Sequence, residues 1–330
     1  MAMTRTSSRV RSSVAEIEIG RYLPLYNRLS DEQQYAYKLL LPGLAMMLLI
    51  HFIPIVWGVL ISVLGVDSGY VSQWYEAPFV WAENYRFVLD PRTVVGERFW
   101  YSLRQTVIFS VGTLLLTYVL GLTAALLLNQ RFKGRFAART LLLLPWVAPS
   151  VVTLLIWRMM FQQQSGIINS LLLSLGVISE PIYWLIGDNT IWTLILVHSW
   201  TQFPLVMIML YAGLQSIPEQ LYEAASIDGA GRWEQFRYIT FPQLKPVSAV
   251  VVLLMMLWTM INFTSPYILL GAQPPQSGQV SILYIYNFAF SNYQFGRGAA
   301  MSVVLFAIAM AMAMLYYKYL FDQDFTEGDR

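Results

Sequence analysis

The sequence predicts an all-α, polytopic membrane protein with six transmembrane helices. Of its 330 residues, 57% are hydrophobic and only 12% are charged, whereas soluble chains average about 45–50% and about 25%. The charges are clustered, which leaves apolar stretches of about 20 residues, the length that crosses a hydrocarbon core about 30 Å thick. The six predicted spans are residues 39–66, 105–129, 140–161, 189–216, 247–271 and 298–317.

Residues 1–38 precede the first span and are predicted to be cytoplasmic, because they are rich in the basic residues that stay inside. Ser30 and Gln33 have the spacing of a capping box, in which each side chain satisfies a free backbone amide at a helix start. We therefore expect a short amphipathic helix that begins after Ser30 and leads into the first span. No small-residue cleavage site follows that span, which predicts a retained helix and not a signal peptide.

The other basic residues set the orientation of the remaining spans. Short loops that carry Lys and Arg stay in the cytoplasm, and such loops follow the second span at residues 131–139 and the fourth at residues 232–245. Both termini are thus predicted to be cytoplasmic. The predicted divisions are a cytoplasmic segment (1–38), the first span with an external loop (39–104), a five-span core (105–320) and a cytoplasmic tail (321–330).

Two features of the predicted external side each allow two interpretations. Its loop 67–104 is rich in amphipathic rings, which either anchor the loop at the membrane interface or contact an external partner. Arg158 and Arg297, near the outer membrane edge, either attract an anionic solute or extend to lipid headgroups. The rings of the loop are Trp74, Tyr75, Trp81, Tyr85 and Trp100.

Several classes of function are disfavoured. Ion-coupled carriers need ionisable groups at membrane depth, but none of the spans contains Asp or Glu, and His51 and His198 fit structural roles better than a proton relay. There is no phosphate-binding G-x-x-x-x-G-K-[ST] loop, no H-E-x-x-H helix and no G-x-S-x-G elbow. The net charge of +2 disfavours nucleic-acid binding. We expect a non-catalytic chain with no catalytic residue, no metal site and no cofactor of its own.

The loop after the fourth span, residues 217–246, predicts a polar helical hairpin. Gly229 and Gly231 interrupt the helical run where a left-handed or tightly packed backbone is needed. Pro242 and Pro246 are predicted to end the second helix before the fifth span.

Two interpretations of this hairpin follow from its residues alone. Trp233, Phe236 and Thr240 give the second helix one apolar stripe. Glu223, beside Ala224 and Ala225, offers an acceptor to a bidentate arginine of a partner. The hairpin is therefore either a docking site or a solvated element.

The string EAASIDGAGRWEQFRYITFPQLKP, residues 223–246, resembles nearly position for position the cytoplasmic EAA motif of permease subunits in ATP-binding-cassette (ABC) importers. Its one departure is Phe241, where Leu is usual. Together with further matches, the chain is similar to the maltose-type carbohydrate branch over roughly two-thirds of its length, which implies the type I ABC importer permease fold. The further matches are residues 144–149, Trp157, Phe161, Gly166, Asn169, Trp200 and Pro204.

The resemblance implies a role for the hairpin. Its first helix would be the coupling helix that sits in a cleft of an ATPase subunit, and closure of the ATPase dimer would swing the spans between inward-facing and outward-facing states. The stripe that includes Trp233 and Phe236 would pack under the membrane helices as a rigid lever. The implied coupling residues are Glu223, Ala224, Ala225, Asp228, Gly229 and Ala230.

The resemblance also implies a solute site near mid-membrane, where rings stack on sugar faces and amides bond hydroxyls. Alternatively, Gln202 and Asn262 bond between helices. The usual Thr-Gly-Gly-Pro after the fifth span is replaced by LGAQPP at residues 270–275, so the analogy does not extend to the external gate. The matching pathway residues are Trp200, Thr201, Gln202, Leu205, Thr259, Asn262 and Phe263.

Taken together, the resemblance implies the pathway subunit of an ATP-driven importer for a sugar, oligosaccharide or sugar-like solute in a bacterial inner membrane. The implied partners are a second permease in a heterodimer, an ATPase dimer that holds ATP and Mg, and an external solute-binding protein. The alternatives are an ion-coupled secondary carrier and a membrane scaffold without transport. The absence of Asp and Glu from the spans disfavours the first, and the second leaves the hairpin unexplained.

Overall fold

The computed structural model describes residues 30–327, which form α-helices and no β-strand beyond one isolated bridge between Leu64 and Phe79. The predicted all-α fold is confirmed. Most of the predicted N-terminal segment, residues 1–29, lies outside the described residues, as do residues 328–330. The helices are α1 (Asp31–Met47), α2 (Ile53–Ser62), α3 (Glu83–Leu89), α4 (Val94–Asn129), α5 (Arg135–Val147), α6 (Ser150–Met160), α7 (Ile167–Ser174), α8 (Thr190–Gln215), α9 (Glu219–Ile227), α10 (Arg232–Gln235), α11 (Phe241–Met260), α12 (Thr264–Leu270), α13 (Ser281–Tyr286) and α14 (Phe295–Glu327).

Shorter helical turns connect some of these elements. Three are π-helical, at Leu48–Phe52, Phe236–Thr240 and Asn287–Ser291, and three are 3-10 turns, at Trp74–Glu76, Gly187–Asn189 and Gln276–Gly278. Two of the π-helical turns each join two α-helices into one longer continuous helix. Leu48–Phe52 joins α1 to α2, and Phe236–Thr240 joins α10 to α11.

Five helical segments of the described chain are long and apolar enough to cross a bilayer. A sixth span requires α5 and α6 to be counted together, because these two helices meet at an angle of 90°. The six predicted spans therefore correspond to five helices and one bent pair. The five are Tyr35–Ser62, Val94–Asn129, Gly187–Gln215, Arg232–Met260 and Phe295–Lys318.

The first described helix begins at the predicted cap. The backbone amide of Gln33 donates to Ser30 Oγ at 3.3 Å, and the Ser30 amide donates to Gln33 Oε1 at 3.0 Å. From there α1 runs past residue 38 and continues through a π-helical turn into α2. The predicted short helix and the first span are thus one continuous helix.

Two predicted boundaries shift because helices extend beyond the apolar run. α4 starts at Val94, where Thr93 Oγ1 accepts from the Gly96 amide at 2.9 Å, and not at residue 105. Its 36 residues span about 54 Å, so the start of the helix belongs to the predicted external loop. At the other end of the chain, α14 continues to Glu327. Most of the predicted tail, residues 321–330, is therefore helical.

The third predicted span is bent where a proline follows an alanine. Ala148 ends α5 in an extended conformation with ψ of 144°, and Pro149 precedes the start of α6. A residue before proline is disfavoured in the helical region because of the clash with the proline ring. The predicted span over residues 140–161 is therefore made of two helices that meet at 90° and not of one continuous helix.

The fifth predicted span differs at both ends. A single helical segment, Arg232–Met260, joins the second hairpin helix to α11, so Pro242 and Pro246 do not end the hairpin helix as expected. The wider π-helical turn Phe236–Thr240 ends two residues before Pro242, and a regular helical turn there would set the proline ring against an earlier carbonyl. Toward residue 271, the span is interrupted after Met260 and resumes as α12.

The helices α4 and α8 pack closely through glycine. A Cβ atom at Gly112 would lie 2.6 Å from Ile195 Cδ1, and one at Gly121 would lie 2.7 Å from Val206 Cγ1. Small residues allow this approach of two helix backbones in a membrane, where van der Waals contact replaces the hydrophobic effect as the driving force. The helices that carry the functional regions pack against this α4–α8 pair.

Substitution of Gly121 by leucine is expected to lower the stability of the detergent-solubilised chain by about 1–3 kcal/mol, because the side chain would overpack the contact with Val206. The thermal unfolding midpoint measures this effect. Gly58→Leu is the matched control, since a Cβ atom at Gly58 meets nothing within 4 Å. Equal midpoints for Gly121→Leu and the control would contradict the predicted helix contact.

Candidate coupling hairpin and solute cavity

The hairpin turn is built on Gly229, whose φ of +84° lies in the left-handed region. The Ala230 amide donates to the Ala225 carbonyl at 2.8 Å, and the Gly229 amide donates to the Ser226 carbonyl at 3.2 Å. These two bonds form a Schellman motif, which satisfies carbonyls at the end of α9. The left-handed backbone predicted for this turn is thus present at Gly229. Gly231, with φ of −73°, is not left-handed.

Side-chain bonds brace the two arms of the hairpin. Gln235 Nε2 donates to Ser226 Oγ at 2.9 Å, which ties the second arm to the first. The hydroxyls of Tyr222 and Thr240 lie 3.0 Å apart and tie α9 to the π-helical turn. The hairpin is therefore fixed to the long helix that enters the membrane.

The predicted apolar lever is only partly buried. Trp233 stacks on Phe236 with ring centres 5.7 Å apart, but its side chain is 69% exposed. Phe236 is half-buried and Thr240 is buried. Trp233 is thus not packed under the membrane helices, and burial of this stripe begins only at Phe236 and Thr240.

The surface predicted to couple to an ATPase is accessible. Glu223, Ala224, Asp228 and Gly229 are exposed, and Ala225 and Ala230 are half-buried. Among the described residues, the carboxylates of Glu223 and Asp228 have no hydrogen-bond or ion-pair partner. Sequence reasoning missed Ile227, an apolar side chain that is 87% exposed at the end of α9. The position of Ile227 in the sequence, two residues before Gly229 of the turn, was the signal that could have identified it.

A cavity of about 380 Å³ lies between α8 and the break that separates α11 from α12. Four of the seven predicted pathway residues line it, namely Gln202, Thr259, Asn262 and Phe263. They meet because Asn262 and Phe263 occupy the break itself, while Thr259 lies in the last turn of the helix before it. The remaining lining residues are His198, Met255, Trp258, Ile261 and Thr264.

We call this cavity the inner cavity. Its polar side chains differ in whether they form hydrogen bonds within the chain. Asn262 Oδ1 accepts from the Ser265 amide at 3.0 Å and so caps the start of α12. His198 Nδ1 lies 2.9 Å from Ser265 Oγ in a buried pair. The Gln202 amide has no hydrogen-bond partner among the described residues, which leaves its donors and acceptor available to a solute.

The other three predicted pathway residues do not line this cavity. Trp200 meets Trp157 edge to face, with ring centres 5.4 Å apart. The Thr201 hydroxyl donates to the His198 carbonyl of its own helix at 2.8 Å. Leu205 packs against the apolar core between α4, α8 and α11. Helical position separates these three from Gln202, because neighbouring residues point in different directions around α8.

A second, outer cavity of about 570 Å³ lies near the turn after α12. Arg158 lines it, and its Nη1 donates to the Ile268 carbonyl at 3.3 Å, whereas Arg297 lies 3.9 Å from the centre of the Phe87 ring instead. Of this lining, only Arg158 was considered from the sequence as a solute contact; Phe161 and residues 270–275 were named there for their likeness to the family or departure from it. The outer cavity is lined by Arg158, Phe161, Gln162, Gln163, Tyr183, Trp184, Leu185, Ile186, Leu269, Leu270, Gln273, Pro274 and Pro275.

A run of aromatic rings leads from α8 to the outer cavity. Trp200 contacts Trp157, which stacks on Phe161, and Phe161 contacts Trp184, with each pair of ring centres 5.4 Å apart. Within residues 30–327, no three His, Asp or Glu side chains are grouped so that they could hold a metal ion.

These features define a class of protein. A multi-pass helical chain in which one continuous helix joins an exposed hairpin to a polar cavity is built as a membrane transport permease. The chain belongs to the family of the binding-protein-dependent transport system inner membrane component, which matches residues 117–326. The membership confirms the resemblance based on the EAA motif.

Three relatives cover most of this chain. It is 35% identical to the trehalose/maltose transport system permease protein MalF of Thermococcus litoralis, over 87% of this chain and 94% of that protein. It is 34% identical to the inner membrane ABC transporter permease protein YcjO of Escherichia coli, over 84% and 90%. It is 31% identical to the sulfoquinovosyl glycerol transport system permease protein SmoG of Agrobacterium fabrum, over 92% and 96%.

A solved structure has the same fold. The crystal structure of a bacterial ABC transporter involved in the import of the acidic polysaccharide alginate matches with a TM-score of 0.74 at 21% identity, covering 90% of this chain and 98% of that one. The likeness confirms the predicted ABC importer permease fold.

Proposed function

We propose that this chain forms, with a second permease subunit, the transmembrane pathway of an ATP-driven importer for a sugar, oligosaccharide or sugar-like solute. The observation that carries the proposal is the helical segment Arg232–Met260, which begins in the exposed hairpin and ends beside the inner cavity. Its 29 residues extend about 43 Å. A displacement of the hairpin would therefore reach Thr259 without passing through a loop.

The inner cavity is suited to a neutral solute that is rich in hydroxyl groups. Its lining contains the amides of Gln202 and Asn262 and the rings of Trp258 and Phe263, and includes no Asp, Glu, Lys or Arg. Amides donate to and accept from hydroxyls, and aromatic rings cover apolar surface. The names of two relatives, which refer to trehalose and maltose and to sulfoquinovosyl glycerol, support the carbohydrate class.

The proposed partners supply what this chain lacks. The full sequence has no G-x-x-x-x-G-K-[ST] loop, so ATP and Mg would be held by an ATPase dimer that docks on the hairpin. An external solute-binding protein would deliver the solute, as the family description suggests. The second permease would be a different chain, as the resemblance to the maltose-type importers implies. The complex would lie in the inner membrane, with both termini of this chain cytoplasmic.

Reconstitution into proteoliposomes tests this proposal. The chain with its co-purifying subunits should take up solute only when ATP is supplied on the hairpin side, and the chain alone should take up none. Uptake by the lone chain under a proton or sodium gradient would favour an ion-coupled carrier instead. ATPase activity that solute and binding protein never stimulate, with no uptake, would favour a scaffold without transport.

Gln202→Leu is expected to raise the KM for uptake about fivefold or more, because one hydrogen bond to a solute is worth roughly 1 kcal/mol and the Gln202 amide has no internal partner. Initial rates of uptake at varied solute concentration measure the effect. Thr201→Val is the matched control, since the Thr201 hydroxyl already bonds within its own helix. A larger effect from Thr201→Val than from Gln202→Leu would place the solute elsewhere.

A further inference from the structure

Two arginines converge on one tyrosine at the hairpin end of the bundle. Arg135 and Arg139 are four residues apart and so share a face of α5, which packs against α8. Arg135 donates from Nη2 to the Tyr211 hydroxyl, and its Cζ lies 5.4 Å from the centre of that ring. The Cζ of Arg139 lies 4.5 Å from the same ring centre. Gln215 Nε2 also donates to the Tyr211 hydroxyl, at 2.6 Å.

The hydrogen-bonding capacity of this arginine pair is largely unused. The Nε atoms of Arg135 and Arg139 are buried and have no hydrogen-bond partner. Within the described part of the chain, the bond from Arg135 to Tyr211 is the only hydrogen bond that either guanidinium makes. Because each Nε is covered by this chain, an outside ligand could reach only the remaining Nη groups, which have no hydrogen-bond partner among the described residues and are free to donate to an external acceptor.

The charge of the pair is also uncompensated. No carboxylate of the described residues lies within ion-pair distance of either guanidinium, and the nearby Glu219 pairs with Arg131 at 3.7 Å instead. The two arginines occupy the first and second turns of α5, where the helix dipole already favours a negative charge. The locus therefore attracts an anion with several acceptor oxygens, for which guanidinium groups are well suited.

The surroundings of the arginine pair identify the source of that anion. Phe136, beside Arg135, is 84% exposed, and the exposed side of α5 continues into the apolar Leu141 and Leu144. Exposed rings next to cations, followed by apolar residues, are typical of the membrane interface. Basic pockets between helices on the cytoplasmic side are suited to anionic lipid headgroups. A protein partner would need instead to cover Phe136 and the lipid-facing side of α5.

We infer that Arg135 and Arg139 bind the phosphate group of an anionic phospholipid in the membrane leaflet on the hairpin side. Tyr211 holds the two guanidinium groups in place, and the acyl chains of the lipid lie along the exposed apolar side of α5. Because α8 ends at Gln215, shortly before the first hairpin helix, the bound lipid sits next to the proposed coupling site without being part of it.

Native mass spectrometry of the purified complex tests this inference. The complex is exposed to phosphatidylglycerol and to phosphatidylcholine with identical acyl chains, and retained lipid is counted. The wild-type complex should retain phosphatidylglycerol preferentially, and Arg135→Gln/Arg139→Gln should reduce its affinity about five- to thirtyfold, since each basic residue near an anionic surface contributes about fivefold. Excess inorganic phosphate should not displace the lipid, because the acyl chains contribute to its binding.

Two matched variants complete the test. Arg131→Gln/Lys133→Gln removes the same charge from the exposed neighbouring loop and should reduce retention less than threefold. Arg135→Lys/Arg139→Lys keeps both charges and should keep the preference for phosphatidylglycerol. If the glutamine variant does not fold, the retention of phosphatidylglycerol by this lysine variant is the measurement that tests the inference. Equal retention of both lipids by the wild type, or displacement by inorganic phosphate, would overturn the inference. Unchanged lipid retention with loss of a co-purifying subunit would show that the pair contacts an acidic protein surface instead.

Discussion

Gly229→Val is expected to lower ATP-driven uptake about five- to thirtyfold while the amount of chain in the membrane stays the same. The reason is conformational, because Gly229 has φ of +84° and a Cβ atom there would meet nothing within 4 Å. A left-handed backbone costs an L-residue about 1–2 kcal/mol, and more when the side chain is β-branched. The substitution would therefore open the Schellman turn and misplace the proposed coupling surface. Uptake into proteoliposomes at equal protein content measures the effect.

Two control variants separate the backbone conformation of Gly229 from other effects. Gly229→Asn should keep most of the activity, since asparagine tolerates the left-handed region. Gly231→Ala should be nearly neutral, because φ is −73° there and the nearest atom to a new Cβ, Glu234 Oε2, is 3.6 Å away. If Gly229→Val and Gly231→Ala reduced uptake equally, the left-handed turn would not be what coupling requires.

Glu223→Arg is expected to reduce solute-stimulated ATP hydrolysis by at least about tenfold and to weaken co-purification of the ATPase. Glu223 is exposed and has no partner among residues 30–327, so its reversal should leave the fold of this chain intact. In the proposed complex the new arginine would face a basic residue of the ATPase, and like charges across an interface cost several kcal/mol. The measurements are ATPase activity with and without solute and the subunit ratio after affinity purification.

Glu219→Arg is the matched control for this charge reversal. Glu219 lies on the same helix one turn earlier and is exposed, and its contact with Arg131, at 3.7 Å, is a surface pair of little energetic value. Its reversal should reduce ATP hydrolysis less than threefold. Normal stimulation of ATP hydrolysis in Glu223→Arg would contradict the proposed docking of the hairpin, whereas a restored complex with a charge-reversed ATPase would identify the partner residue.

Both predictions depend on a rigid connection between hairpin and cavity. The π-helical turn Phe236–Thr240 lies inside this connection, and such turns are frequent at functional sites. Thr240 is buried there and bonds to Tyr222 of the first hairpin helix. A push on α9 would therefore act on the long helix at the point where its winding changes.

The sequence by itself determined the class of fold and the position of the hairpin, and it offered Gly229 and Gly231 for the turn. These are local properties, because an uncharged apolar run of about 20 residues favours the bilayer wherever it occurs, and a glycine between two helical stretches favours a turn without reference to distant residues. The same holds for the cap at Ser30, which begins a helix as predicted. The EAA motif then led to the permease family, which the comparison over residues 117–326 confirms.

Only the tertiary structure decided where helices bend or continue, and which polar residues meet. The apolar pattern did not distinguish the bent pair α5 and α6 from a straight span, nor did it show that the helix passes through Pro242 and Pro246. Of the seven predicted pathway residues, four line the inner cavity, because the direction of a side chain around a helix and the partner it faces depend on the packing of other helices. The convergence of Arg135 and Arg139 on Tyr211 joins residues more than seventy positions apart. No local pattern specifies such a contact, since it arises only when α5 packs against α8.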